Sequence, residues 1–419
     1  MTEKLLQYIW QFQYFNHALL TTVDNEILQI NTPGILNTNQ GPDFLNANIK
    51  VGNTTWAGNI ELHLKSSGWI SHQHSKDKNY SNIILHVVWQ DDGATELSFP
   101  VFELQNRVSK FLLGRYHELM NTTAFIPCEK NIKQVNGLTW KSWIDRLLAE
   151  RLQHKSAIIF KHLAANNNHW EETFWWLLAS NFGIKVNSDA FEKIARSLPV
   201  NLLTKHKNQI HQLEALLFGQ AGLLQNNFTE TYPLMLQKEY RFYKSKYKLQ
   251  PIQAPLFFLR MRPANFPSVR LAQLAMLINR SLHLFSVLRE AETLKEIKDL
   301  LNVTANDYWH YHYVFDEATA FKEKHLGTQM INNIFINTII PIVFAYGLYN
   351  KEEGYKEKAM QWLEQTAAEK NNITNAYSLL GIQNKNAFNS QALIQLKNEY
   401  CNRKRCLECA VGNSLLKKL

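Results

Sequence analysis

The chain has 419 residues and a mass of 48.8 kDa, enough for two or three ordinary domains. Hydrophobic residues at 45% and charged residues at 19% exclude a disordered chain, and 16 Gly with 11 Pro exclude collagen-like and low-complexity classes. The net charge of +9 is unevenly shared: residues 1–107 carry 6 basic and 10 acidic side chains, a net of −4, and the remainder carries 39 and 26, a net of +13. An acidic front and a basic back suit an acidic site working beside a polyanion-binding surface. Surplus lysine on solvated helix faces is the plainer account. The longest apolar run, Ile331–Leu348, is interrupted by Asn332, Asn333, Asn337 and Pro341, so no membrane span is expected. The first residues lack the order of a secretory signal, and a soluble cytoplasmic protein is expected.

In chain order, an amphipathic helix is predicted over Lys4–Leu20, followed by a strand over Glu26–Asn31 that Thr32-Pro33-Gly34 ends. Phe44–Val51 and Trp56–Lys65 form a hairpin through Gly52-Asn53. In the second strand Ile60, Leu62 and Leu64 alternate with Glu61, His63 and Lys65. Asn82–Trp89 is almost wholly apolar, as in a central strand covered on both faces. Glu96–Leu104 contains Pro100 and reads as an edge strand.

From Val108 the period becomes helical. The best helices are Trp140–Leu163, Trp170–Phe182, Asp189–Ser197, Lys207–Leu224, Leu271–Glu292, Phe335–Leu348, Gly354–Glu369 and Asn386–Tyr400. The expected class is therefore α+β: a small α/β domain over residues 1–107 and a helical domain over 108–419 that ends in a cysteine cluster.

The order helix, meander, connection, central strand carries Pro42-Asp43 before one strand and Glu61-Leu62-His63 in the next. This arrangement resembles the PD-(D/E)XK nuclease superfamily, whose core is the restriction-endonuclease-like fold. The resemblance implies that Asp43 and Glu61 hold Mg²⁺ or Mn²⁺ through hard oxygens, where the ion would polarise a phosphate and acidify a water. His63 stands where the superfamily usually has lysine, and Lys65 follows two residues later on the same strand face. The connection from Ser66 to Ser81 is short for the usual crossover helix. An ordinary hairpin with Glu, His and Lys on its solvent face is the alternative.

His63, His72, His74 and His86 fall within 24 residues, with Asp77 and Tyr80 between them. Convergent imidazoles suit zinc and similar metals, which keeps a histidine-metal hydrolase of a small substrate in view. A lone histidine in an apolar strand is more often a core residue.

Cys401, Cys406 and Cys409 are spaced Cys-x4-Cys-x2-Cys, and Cys128 is the fourth cysteine of the chain. Four thiolates match zinc or an iron–sulfur cluster, and would close a loop of more than 270 residues. Four reduced thiols are the alternative. Arg403, Lys404 and Arg405 lie inside the cluster and are expected to lower the thiol pKa values.

Two further stretches suit a nucleic-acid partner. Lys238–Lys248, with Lys244 and Lys246, interleaves cations with Tyr240, Phe242, Tyr243 and Tyr247, although an aromatic face entering the core gives the same pattern. Arg260, Arg262, Asn265 and Arg270 flank a helix start at which Ser268 is the expected N-cap, an arrangement suited to an anion or to a buried arginine.

The segments GPDFLNANIKV, GNIELHLKSSGW, NIILHVVW, LRMRPANFPSVRLAQLA and CNRKRCLECAVGNSLL together resemble domain-of-unknown-function family 2851 over nearly the whole chain. That resemblance implies no activity and supplies no catalytic residues. The functional expectation is a metal-dependent nuclease or nucleic-acid-processing protein hydrolysing phosphodiester bonds. The alternatives are a non-catalytic nucleic-acid-binding or scaffold protein and the histidine-metal hydrolase.

Overall fold

The computed structural model describes residues 1–93, 98–259, 261–281 and 283–417. The class is α+β, as the change of hydrophobic period predicts. Two compact units divide the chain: Met1–Trp143 with Leu396–Leu419, and Ile144–Gln395. The switch from strand to helix at residue 108 therefore falls inside the first unit. In sequence the second unit is an insertion into the first, entered along the helix Gly137–Ala165 and left through Ala387–Gln395.

In the first unit, helix α1 (Glu3–Gln11) buries Leu5, Leu6, Ile9 and Trp10. Thr2 caps it by accepting the Leu5 N–H at 3.2 Å. The helix is shorter than the apolar pattern suggests because Gln13 takes a left-handed conformation at φ 55° and turns the chain away.

The sheet contains β1 (Leu28–Thr32), β2 (Ile35–Leu36), β3 (Phe44–Val51), β4 (Thr54–Lys65), β5 (Ile83–Gln90) and β6 (Val101–Glu103). Its order is β1-β3-β4-β5-β6, with β2 also paired to β3. β3 and β4 form the predicted hairpin, pairing Val51 with Thr54 across Gly52-Asn53. β5 runs parallel to both β4 and β6, and its residues Ile83–Val88 are all buried, as a central strand requires. Pro100 lies just before the short edge strand β6, where its missing N–H costs no ladder bond.

Parallel pairing of β4 with β5 demands a crossover. Here it is a single helical turn, Gly68–Ser71, followed by two 3-10 turns, His74–Lys76 and Lys78–Tyr80. The turns bring the connection back against β4. Gly68 permits the approach: a Cβ there would meet the His63 ring at 2.9 Å.

The second unit is helical. Trp170–Phe182 appears as predicted, and the period extends Asp189–Ser197 back to Ile184. The expected helix Leu271–Glu292 is instead two, Pro267–Arg280 and Leu284–Glu290, because Ser281 is extended at φ −153° and ψ 133°. The apolar run near Ile331 also departs from expectation. Thr328–Asn350 is one continuous helix of 23 residues, with mean hydropathy 1.5, long and apolar enough to cross a membrane by composition. A π-turn at Phe335–Ile339 absorbs Pro341, whose ring and absent N–H disturb an α-helix. Of its most apolar window, 72% is buried within the protein, the setting of a core helix.

Candidate metal centre

A bulge in β3 sets the site. The β3/β4 register shifts between Phe44 and Ala47, where Asn46 is left-handed at φ 58°. Asp43 thereby lies beside Glu61 and Leu62. Its backbone N–H donates to Glu61 Oε2 at 3.0 Å, and its carboxylate accepts the Leu62 N–H at 3.0 Å. Its other oxygen accepts from Gln7 Nε2 of α1 at 2.7 Å. Gln7 carries no sequence signal for such a role; only the packing of α1 on the sheet reveals it.

Glu61 turns its remaining oxygen to the imidazoles. Oε1 lies 3.5 Å from His74 Nε2 and 3.8 Å from His63 Nε2. His63 Nε2 is 3.1 Å from His72 Nδ1, and donor atoms of His63, His72 and His74 all lie within 4.8 Å of one another. Behind them, His63 Nδ1 meets His86 Nε2 at 2.8 Å. His63 and His86 come from β4 and β5, whereas His72 and His74 come from the crossover. His72 is exposed and opens the cluster to solvent.

The electrostatics favour a cation. Burial, and then the charge of Asp43, push the Glu61 carboxyl up to about 8; burial pushes Asp43 up to about 6, against the hydrogen bonds from Leu62 and Gln7. Burial and neighbouring imidazoles pull His63 down to about 3 and His86 to about 4. His74 moves in the same direction, by burial first and His72 second. Neutral imidazoles with available lone pairs thus face a carboxylate that is costly to ionise alone. The buried Nε2 of His74 has no hydrogen-bond partner. A metal ion among His63, His72, His74 and Glu61 would use that lone pair and offset the carboxylate charge. Three imidazoles and a carboxylate suit zinc, manganese or iron better than magnesium.

Asp43 and Glu61 are adjacent; each Asp43 oxygen accepts one N–H group, and Glu61 Oε1 faces the imidazoles of His63 and His74. Lys65 is exposed at the end of β4, with its charge acting on Asp92. A cavity of about 390 Å³ opens beside His74, walled by Trp69, Tyr80 and Phe99 and edged by Asp77 and Lys78. Tyr80 stacks on His74 at 4.0 Å between ring centres.

With that geometry in place, comparison with known proteins finds a family model described as "Protein of unknown function (DUF2851)", which covers residues 3–372. The chain belongs to that family. The matched span of DUF2851 includes the whole histidine site and Cys128, and ends before Cys401. No curated protein matches this DUF2851 member, and no solved structure matches it.

The remaining candidate residues of this DUF2851 chain lie elsewhere. In Thr231–Tyr247, Tyr240 and Tyr243 are buried and Tyr247 bonds to His206 at 2.9 Å, so these rings serve the core. Phe242, Lys244 and Lys246 remain exposed. Arg241, Lys244 and Lys248 edge an open groove of about 1110 Å³, larger than the cavity beside His74 and distinct from the histidine site. Arg270 is buried and donates to Asn265 Oδ1 at 2.5 Å and Gln273 Oε1 at 2.9 Å, which holds the loop, while its Nε has no hydrogen-bond partner. The helix there starts with Phe266 as N-cap and Pro267 at its first position; the Ser268 hydroxyl donates to the Tyr313 carbonyl. Arg262 is exposed, and Arg260 lies outside the described residues.

Proposed function

We propose that this protein is a metal-dependent hydrolase of phosphodiester bonds, with nucleic acid as its substrate. The observation that carries the reading is the unpartnered Nε2 of His74, 3.5 Å from Glu61 Oε1 and grouped with His63 and His72. Glu61, His63, His72 and His74 would hold the ion, and Asp43 would orient Glu61 through its backbone N–H. A bound ion supplies Lewis acidity toward a phosphoryl oxygen and lowers the pKa of a water. The exposed face of His72 admits substrate, and the cavity walled by Trp69, Tyr80 and Phe99 has room for a base to stack. The surplus of 13 positive charges after residue 107, including the exposed Lys244, Lys246 and Arg262, supports a polyanionic substrate.

A second reading, hydrolysis of a small substrate, is favoured by the size of that cavity, about 390 Å³. One experiment separates them. The full chain, loaded in turn with Mn²⁺ and Zn²⁺, is assayed on fluorescent single- and double-stranded oligonucleotides and on a small aryl phosphodiester. Cleavage of oligonucleotides that is lost in Glu61→Gln and in His74→Ala supports the nuclease. Turnover of the small ester alone supports the second reading. Undiminished cleavage in both variants sinks the site.

A further inference from the structure

Cys128, Cys401, Cys406 and Cys409 line one small cavity within the first unit, together with apolar neighbours such as Ile126, Leu396 and Val411. No disulfide joins any of them. The chain curls to bring the last three sulfurs inward: a π-turn over Leu396–Cys401, a left-handed Lys404 at φ 49°, then a 3-10 turn over Cys406–Glu408. Gly412 lets the final helix press on this curl, since a Cβ there would stand 2.2 Å from the Cys406 carbonyl oxygen.

Cysteines that merely fill a core behave as small hydrophobes and leave few voids. Here all four thiols border one cavity, whose other walls are mostly apolar. The sulfur of Cys409 receives the backbone N–H groups of Val411 and Gly412 and faces the Trp143 indole N–H, donors of the kind that stabilise metal-bound thiolate. Lys404 and Arg405 bring positive charge to the rim, where Arg405 packs 4.7 Å from the centre of the Tyr400 ring.

The spacing of the sulfurs discriminates between metals. A tetrahedral zinc holds four sulfurs at about 2.3 Å, hence about 3.8 Å from one another. Among the described residues, the three histidines form a set of donors within 4.8 Å of one another, and no three of these thiols do. In a cubane cluster each thiolate binds a different iron, so the sulfurs stand farther apart.

We propose that these four cysteines hold a four-iron, four-sulfide cluster, a second metal centre independent of the histidine site. The cluster would tie Cys128 to the returning C-terminal segment and so join the two stretches of chain that make up the first unit.

The test is the metal and acid-labile sulfide content of the full chain, purified anaerobically and also reconstituted with iron and sulfide. About four iron and four sulfide per chain, with a broad visible absorption that dithionite bleaches, is the expected result. Cys406→Ser and Cys128→Ser should each lose most of the sulfide, whereas His74→Ala should keep it, which separates this centre from iron bound at the histidines. One zinc per chain without sulfide overturns the cluster. So does a folded protein that takes up neither iron nor sulfide on reconstitution. The wild-type content decides the matter even if the cysteine variants fail to fold.

Discussion

His63 Nδ1 and His86 Nε2 share a hydrogen bond of 2.8 Å between adjacent parallel strands, and both rings are buried. The bond fixes the His63 ring with its other nitrogen toward His72 and Glu61. His86 is therefore a positioning residue for the proposed metal centre. His86→Ala should weaken metal binding by about 10–100-fold, the usual loss when a supporting partner is removed. Calorimetric titration with Zn²⁺ or Mn²⁺ measures this; affinity equal to the parent's would remove His86 from the site.

Glu61 and His74 should show a larger effect. Each supplies a donor, so Glu61→Gln and His74→Ala are expected to lose more metal affinity than His86→Ala. Because Glu61→Gln removes a buried carboxyl whose charged form is costly, the metal-free variant should unfold no more easily than the parent at pH 8. A thermal scan that shows strong destabilisation would assign Glu61 to the fold instead.

Glu214 gives a pH dependence in the other unit. It is fully buried and accepts from Tyr232 at 2.6 Å and from Trp309 Nε1 at 3.1 Å, and burial raises it to about 7. The folded state therefore holds its proton more tightly than the unfolded state. This contribution to stability is full below pH 4.5 and is lost as pH rises through about 7. Glu214→Gln should flatten that part of the stability profile by a few kcal/mol, order-of-magnitude. Denaturant midpoints at pH 5 and pH 8 test it: an unchanged difference between them counts against the shift.

The cationic residues should divide into two classes. Lys244→Ala, Lys246→Ala and Arg262→Ala should each lower nucleic-acid affinity similarly for all sequences and reduce the salt slope by about 0.9 for each phosphate that is no longer neutralised. Arg270→Ala should instead destabilise the second unit, because it leaves Asn265 and Gln273 without their donor. Fluorescence anisotropy across a salt series, with melting curves, separates the two; weaker binding by Arg270→Ala at full stability would restore it to the interface.

Gly412→Ala probes the cysteine cavity without touching a sulfur. The added methyl meets the Cys406 carbonyl, and about 1–3 kcal/mol of destabilisation is expected from overpacking. Its melting temperature and sulfide content should fall together. Loss of neither would mean that the C-terminal helix shifts freely.

Burial of the cysteine cluster also reverses an expectation drawn from its neighbours. Three cations within the cluster suggest acidic thiols, yet Cys406 rises to about 12 because desolvation outweighs the pull of Lys404, and Cys409 to about 11 because desolvation outweighs its hydrogen bonds from Gly412, Val411 and Trp143. Arg403 is paired with Glu399 at 3.0 Å, and Arg405 with Glu408, so much of that charge is already answered.

Sequence alone determined the α+β class, the hairpin through Gly52-Asn53, the buried strand read over Asn82–Trp89 and most helices of the second unit. These follow from period, turn residues and apolar runs, all local in the chain. It also singled out Asp43, Glu61, the four histidines and the four cysteines, because such side chains stand out against an apolar background. Only the tertiary structure decided which of them meet. The bulge at Asn46 and the short crossover set Glu61 among His63, His72 and His74 and leave Lys65 outside, and Gln7 reaches Asp43 from a helix 36 residues away. The same holds for Arg270, which reads as an exposed binding group in the sequence and in the fold is buried, donating to Asn265 and Gln273. Side-chain chemistry is written residue by residue, whereas desolvation and donor geometry arise from contacts distant in the chain, and those two quantities set what the site can bind.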